Sequence, residues 1–111
     1  MRIVEKRFFE GASNRNVLED AESKDQSGSY KFITLDFFIA GIHSGKLRKG
    51  SGFENIGIDP DKEEITILFK NRELITIPVS KGTCAFEKIN NTRFPTLVVR
   101  LKDFMLYVTW S

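Results

Sequence analysis

Of the two side chains most used for redox and transition-metal chemistry, the sequence has one each, Cys84 and His43. A lone cysteine excludes an intramolecular disulfide and any zinc site built on several thiolates, and a lone histidine excludes a histidine-based metal cluster. Alanine is scarce, with four residues among 111, and tryptophan occurs once, as Trp110. No stretch approaches the roughly eighteen apolar residues that a membrane span needs. The opening MRIVEKRFFEGA carries charges at positions 2, 5, 6, 7 and 10, which leaves no apolar run for a secretory leader. These absences lead to the expectation of a cytoplasmic protein with no membrane association, no metal and no cofactor.

Strong charge of one sign is also missing. The net charge is +2. Residues 19–25 and 59–64 each sum to −3, whereas residues 65–111 hold seven Lys/Arg against three acids, or +4. That asymmetry falls short of the bias that marks a nucleic-acid binder by charge alone. The acidic DPDKEE, 59–64, lacks the alternate-position ligands and central glycine of a calcium loop, and Pro60 at its second position reads as a tight turn. GKLRKGSG, 45–52, does not match GxxxxGK[ST] and has no helix signal after it, so it is not a nucleotide cradle.

What is present favours strands. Ten phenylalanines against four alanines select for pleated, half-buried surfaces over helices. Residues 1–9 alternate as a strand. Residues 10–29 are polar and turn-rich, with larger apolar residues only at Val17, Leu18 and Ala21; they read as a long surface loop, or as a short helix capped near Ser13 or Asn14. YKFITLDFFIAGI, 30–42, reads as one long strand that bends at Gly41, followed by a glycine-rich loop over 43–52. FENIGID, EEITILF, ELITIPV, TCAFEKI, TLVVRL and FMLYVTW complete eight strands. The expected fold is one all-β domain over 1–111, mainly antiparallel, a small sandwich or barrel.

Parity fixes two hairpins further, because a slip of one residue exchanges the faces of a strand. In ITILFKNRELITIPV, an odd loop such as Lys70, Asn71 and Arg72 sets Ile67 against Ile75 and Ile65 against Ile77. One face then collects Ile65, Ile67, Phe69, Ile75, Ile77 and Val79. In TLVVRLKDFMLYVTW a two-residue loop at Lys102 and Asp103 places Leu97, Val99, Leu101, Phe104, Leu106 and Val108 together as core. The opposite face of this terminal hairpin carries Thr96, Val98, Arg100, Met105, Tyr107 and Thr109 in place of the lysines and glutamates of a solvent face.

Tyr, Arg and Met are enriched in interfaces where Lys and Glu are depleted. Val98, Arg100, Met105 and Tyr107 are therefore the predicted partner-binding residues, facing a protein partner or a second copy. No catalytic residue is predicted. His43 sits beside Ser44 in a Gly-flanked loop, and a Ser/His/Asp or Cys/His triad could be assembled only through tertiary contacts that the sequence does not disclose, while Asp36 in the apolar ITLDFFI calls for a strand end, an exposed face or a cationic partner. The leading expectation is a non-enzymatic module that binds a protein stoichiometrically, of inhibitor, immunity or accessory type. One alternative is nucleic-acid binding by Lys46, Arg48 and Lys49 with Tyr30 or Phe53 for stacking. The other is a small-molecule or lipid-binding barrel lined by Phe32, Phe37 and Phe38.

Overall fold

The computed structural model describes residues 13–28, 30–88 and 95–111, so the strand expected over 1–9 lies outside the described residues. Those that are described form one helix, α1 (Asn14–Gln26), and eight strands: β1 (Lys31–Ile39), β2 (Ile42–Arg48), β3 (Asn55–Asp59), β4 (Glu64–Leu68), β5 (Leu74–Pro78), β6 (Thr83–Glu87), β7 (Thr96–Arg100) and β8 (Phe104–Trp110). They make a five-stranded sheet in the order β2-β1-β8-β7-β6 and a three-stranded sheet in the order β3-β4-β5. Every pairing between these strands is antiparallel. The architecture is an all-β sandwich with one short helix.

The run 30–42 is two strands, not one, and the loop expected over 43–52 is mostly strand β2. Ala40 and Gly41 both take positive φ, 51° and 80°, and pair Ile39 with Ile42 across a two-residue connection. Two consecutive left-handed residues give the primed turn whose twist matches a tight hairpin. The polar HSGKLR is compatible with a strand because β2 is a sheet edge, where one side of the ladder and much of the surface meet water.

The two parity arguments match the registers. Ile65 pairs with Ile77 and Ile67 with Ile75, around the three-residue loop Lys70, Asn71 and Arg72. Arg72 N donates to Phe69 O at 3.0 Å and Phe69 N to Glu73 O at 2.9 Å, and Arg72 has φ 74°. This is a type I turn closed by a left-handed residue. In the terminal hairpin Leu97 pairs with Val108 and Val99 with Leu106, while Leu101 N donates to Phe104 O at 3.0 Å. DPDKEE is the β3–β4 turn, where Asp59 Oδ1 accepts from Lys62 N at 3.1 Å.

The core lies between the sheets and includes Ile33, Leu35, Phe53, Ile65, Leu97, Val99, Leu106 and Val108, all fully or almost fully buried. At ~25 cal/mol per Å², each contributes about 1.5 to 3 kcal/mol. Ile75 shares its face of the 65–79 hairpin with the buried Ile65, Ile67, Ile77 and Val79, but it is 51% exposed. Its strand is the outermost of the smaller sheet, so its side chain reaches past the covering layer.

Of the two readings of 10–29, the helix holds. Ser13 Oγ accepts from Asn16 N at 3.1 Å as the N-cap, and Val17, Leu18 and Ala21 are the buried stripe. The helix lies across the edges of both sheets, against β6 and β3. Asn14 fastens one end: its Nδ2 donates to Val79 O and Gly82 O, each at 3.3 Å, and its Oδ1 accepts from Cys84 N at 3.2 Å.

Candidate functional site: the outer face of the five-stranded sheet

Alternation sends Ile33, Leu35, Leu97, Val99, Leu106 and Val108 inward, so the even-numbered residues of β1 up to Asp36 and of β7 face outward, together with Met105, Tyr107 and Thr109 of β8. The registers arrange these residues in rows across the sheet. One row runs Lys46, Asp36, Met105, Arg100, Thr83, and the next runs Arg48, Thr34, Tyr107, Val98, Ala85. A third holds Phe32, Thr109, Thr96 and Glu87, with Thr96 and Thr109 hydroxyls 2.8 Å apart. The four residues predicted as partner-binding therefore stand side by side on one face.

They are not equally available. Val98 is fully buried although it lies outside the inter-sheet core. Arg100 pairs with Thr83 on β6 but extends along the sheet to Glu87, four residues further on. Its Nη2 donates to Glu87 Oε1 at 2.8 Å and its Nη1 to Oε2. This two-pronged pair meets above the Ala85–Val98 row and covers it, so Val98 is the floor of the patch and not its contact surface. Arg100 itself is exposed, and Met105 and Tyr107 are half-buried.

Each charge shift in the patch has a visible cause. The Arg100 hydrogen bond holds the Glu87 carboxyl below the usual glutamate value, against the opposing effect of burial, and the same bond raises Arg100. Tyr107 is pushed up first by burial and then by the Asp36 carboxylate, with Arg100 acting the other way. Its hydroxyl donates to Met105 Sδ at 3.5 Å. The Tyr107 phenol is therefore neutral near pH 7, and the Arg100 guanidinium keeps its charge beside the Glu87 carboxylate.

Asp36 has the cationic partner its sequence context called for. His43 Nε2 lies 3.1 Å and Lys46 Nζ 3.6 Å from Asp36 Oδ1. This anchors the β1–β2 hairpin to the outer face and takes up part of the charge of Lys46. Arg48 faces outward in the row of Thr34, while Lys49 Nζ sits 5.7 Å above the Tyr30 ring. Lys46 and Arg48 thus belong to the edge strand β2 and Lys49 directly follows it, where a loop over 43–52 is predicted. Phe53, predicted as a stacking platform, is fully buried, because it plugs the gap between the sheets where β2 crosses to β3. Tyr30 and Phe32 are the exposed aromatics of this region.

The phenylalanines of the barrel reading do not share a cavity. Phe32 faces outward, Phe37 packs inward against Phe104 with ring centroids 6.2 Å apart, and Phe38 meets the His43 ring edge-on. Among the described residues no group of three His, Cys, Asp or Glu is placed to hold a metal ion, and no helix is long and apolar enough to cross a membrane.

Sequence reasoning missed two features. One is the Arg100–Glu87 pair, which joins residues that are not opposite each other; opposite charge on adjacent strands was the only available signal. The other is the exposed apolar edge at Leu74 and Ile75, visible only once β5 is known to be a terminal strand. Compared with family models, curated proteins and solved structures, the chain matches none.

Proposed function

We propose that this protein works without chemistry of its own, by stoichiometric binding of a protein partner through the outer face of the five-stranded sheet, as an inhibitor, immunity protein or accessory factor does. The observation that carries this reading is the row arrangement that sets Tyr107, Met105 and Arg100 together on a rigid sheet, with exposed Phe32 in the adjoining row. Rigid aromatic and arginine side chains lose little conformational freedom on binding, which is why they anchor interfaces. Arg100 is already held by Glu87, so a partner meets a pre-oriented guanidinium. A buried thiol with no cysteine to pair with accords with a cytoplasmic setting.

The test is affinity capture from host extract with the intact protein, run beside a Tyr107→Ala, Arg100→Ala double variant whose fold is verified by circular dichroism. A partner retained by the former at unit stoichiometry and lost by the latter supports the reading. A partner retained equally by both removes this face from it.

A second reading has an observation of its own. Tyr30 and Phe32 are exposed beside Arg48 and Lys49, which combines stacking surfaces with cations as single-stranded nucleic-acid grooves do. If it holds, replacing Lys46, Arg48 and Lys49 by Ala lowers the salt slope of log K by roughly one per lost phosphate contact. Absence of DNA or RNA binding at low salt removes it.

A further inference from the structure

The smaller sheet ends in β5, and among the described residues no strand pairs with its far side. The direction of its backbone groups follows from two bonds that bracket it: Phe69 N donates to Glu73 O at 2.9 Å, and Val79 N to Glu63 O at 2.9 Å. Bonding alternates along an antiparallel strand, so Glu73, Ile75, Ile77 and Val79 direct their backbone groups to β4. Leu74 and Thr76 direct theirs outward, with no backbone partner among the described residues. Pro78 falls on the outward set too, where its missing N–H costs no ladder bond. Leu74 is 63% and Ile75 51% exposed, one on each face of this open edge.

We infer that β5 pairs antiparallel with β5 of a second copy of this chain, about a two-fold axis at Ile75. That register sets Leu74 opposite the second copy's Thr76, and Thr76 opposite its Leu74. Both residues of each pair have outward groups, so the four unmet donors and acceptors satisfy one another, and the two Ile75 side chains meet on the axis. A closed two-fold needs this kind of self-complementary surface.

The charges agree with the same register. The groove along Ile77 and Pro78 continues into the Leu101, Lys102, Asp103 and Phe104 turn. Arg72 and Glu73 of the second copy arrive opposite Pro78 and Ile77, beside that turn, bringing a cation to Asp103 and an anion to Lys102. One short strand pair buries little area, so the dimer belongs to the weak, concentration-dependent class. This surface lies on the other sheet from the proposed partner face, so the two readings stand or fall separately.

The experiment combines sedimentation velocity with cysteine crosslinking of the full chain. The buried Cys84 leaves little background reactivity. With rising concentration the mass should move from 12.7 kDa toward twice that value, and Leu74→Lys, a charge on an exposed edge position, should abolish the shift without changing the circular dichroism spectrum. In the register above, residue 75 faces itself in a non-hydrogen-bonded pair about 4.5 Å apart, within disulfide reach, whereas the two copies of residue 76 are about 8 Å apart and are not. Ile75→Cys should therefore give covalent dimer at least about tenfold faster than Thr76→Cys under mild oxidation. A monomer at all concentrations, or equal crosslinking rates for the two variants, overturns the inference. Loss of the dimer in Tyr107→Ala would also overturn it, by assigning self-association to the other sheet.

Discussion

The indole N–H of Trp110 donates to Asp25 Oδ1 at 3.1 Å, joining the end of the last strand to the last turn of the helix. The same carboxylate oxygen lies 2.9 Å from Lys31 Nζ, at the start of β1. An acid at a helix C-terminus opposes the helix dipole, so its presence there is explained by these tertiary partners. Asp25→Ala should destabilise the fold by about 1 to 3 kcal/mol, because it strands a part-buried N–H and a largely buried ammonium. Asp25→Asn keeps the indole bond and should cost less. Chemical denaturation of the two variants checks the order.

Tyr107 and Val99 should separate binding from folding. Tyr107→Ala is expected to cost about 1 to 4 kcal/mol of partner affinity with under about 1 kcal/mol of stability. Val99→Ala or Leu106→Ala, on the opposite face, should destabilise folding by roughly 2 to 5 kcal/mol for Leu and less for the smaller Val. Equal stability losses at Tyr107 and Leu106 would show the outer face to be structural.

Cys84 predicts an alkaline limb of stability. Burial, with a smaller contribution from Glu63, pushes its thiol from 9.0 up to about 12. A raised pKa means the contribution is intact below pH 9 and is lost as pH rises toward 12, because the unfolded chain ionises first. By pH 11 the loss is on the order of 2 to 3 kcal/mol. Cys84→Ala should flatten this limb relative to the parent, which urea titrations at pH 8 and pH 11 would measure.

Glu87 acts at the other end of the scale. Its folded pKa is lowered by Arg100, so the pair stabilises above the ordinary glutamate value and the contribution fades as pH falls below about 4.5. The pair is partly solvated, so its worth is under about 1 kcal/mol. Glu87→Gln should remove only this acid-side slope, while exposing Val98 to rearrangement of Arg100.

Gly82 and Ala40 make opposite backbone predictions. A Cβ on Gly82 would lie 2.1 Å from the Arg100 carbonyl oxygen, so Gly82→Ala should destabilise by about 1 to 3 kcal/mol through forced displacement of β6 from β7. Ala40, at φ 51°, occupies a place that asparagine or glycine fills with less strain. Ala40→Asn should raise stability by about 0.5 to 1 kcal/mol, read as an upward shift of the thermal midpoint.

Local chemistry by itself determined much of this fold. The registers of the 65–79 and 97–108 hairpins were legible because only one parity puts apolar residues opposite apolar residues. The helix was ambiguous in the sequence: Ser13 could cap it, but three apolar residues in a polar segment define a helix only when a surface exists to bury them, and that surface is made by β3 and β6. The break at Ala40–Gly41 was hidden because alanine rarely adopts a left-handed conformation without support from its surroundings. Which strands end a sheet was likewise beyond the sequence, since edge and interior positions are assigned by long-range pairing. Tertiary structure alone therefore decided that Ile75 is exposed, that Phe53 is buried, and that Arg100 covers Val98 by reaching Glu87. Residue type fixes which groups must avoid water, whereas the assembled sheets fix which of them have neighbours to hide them.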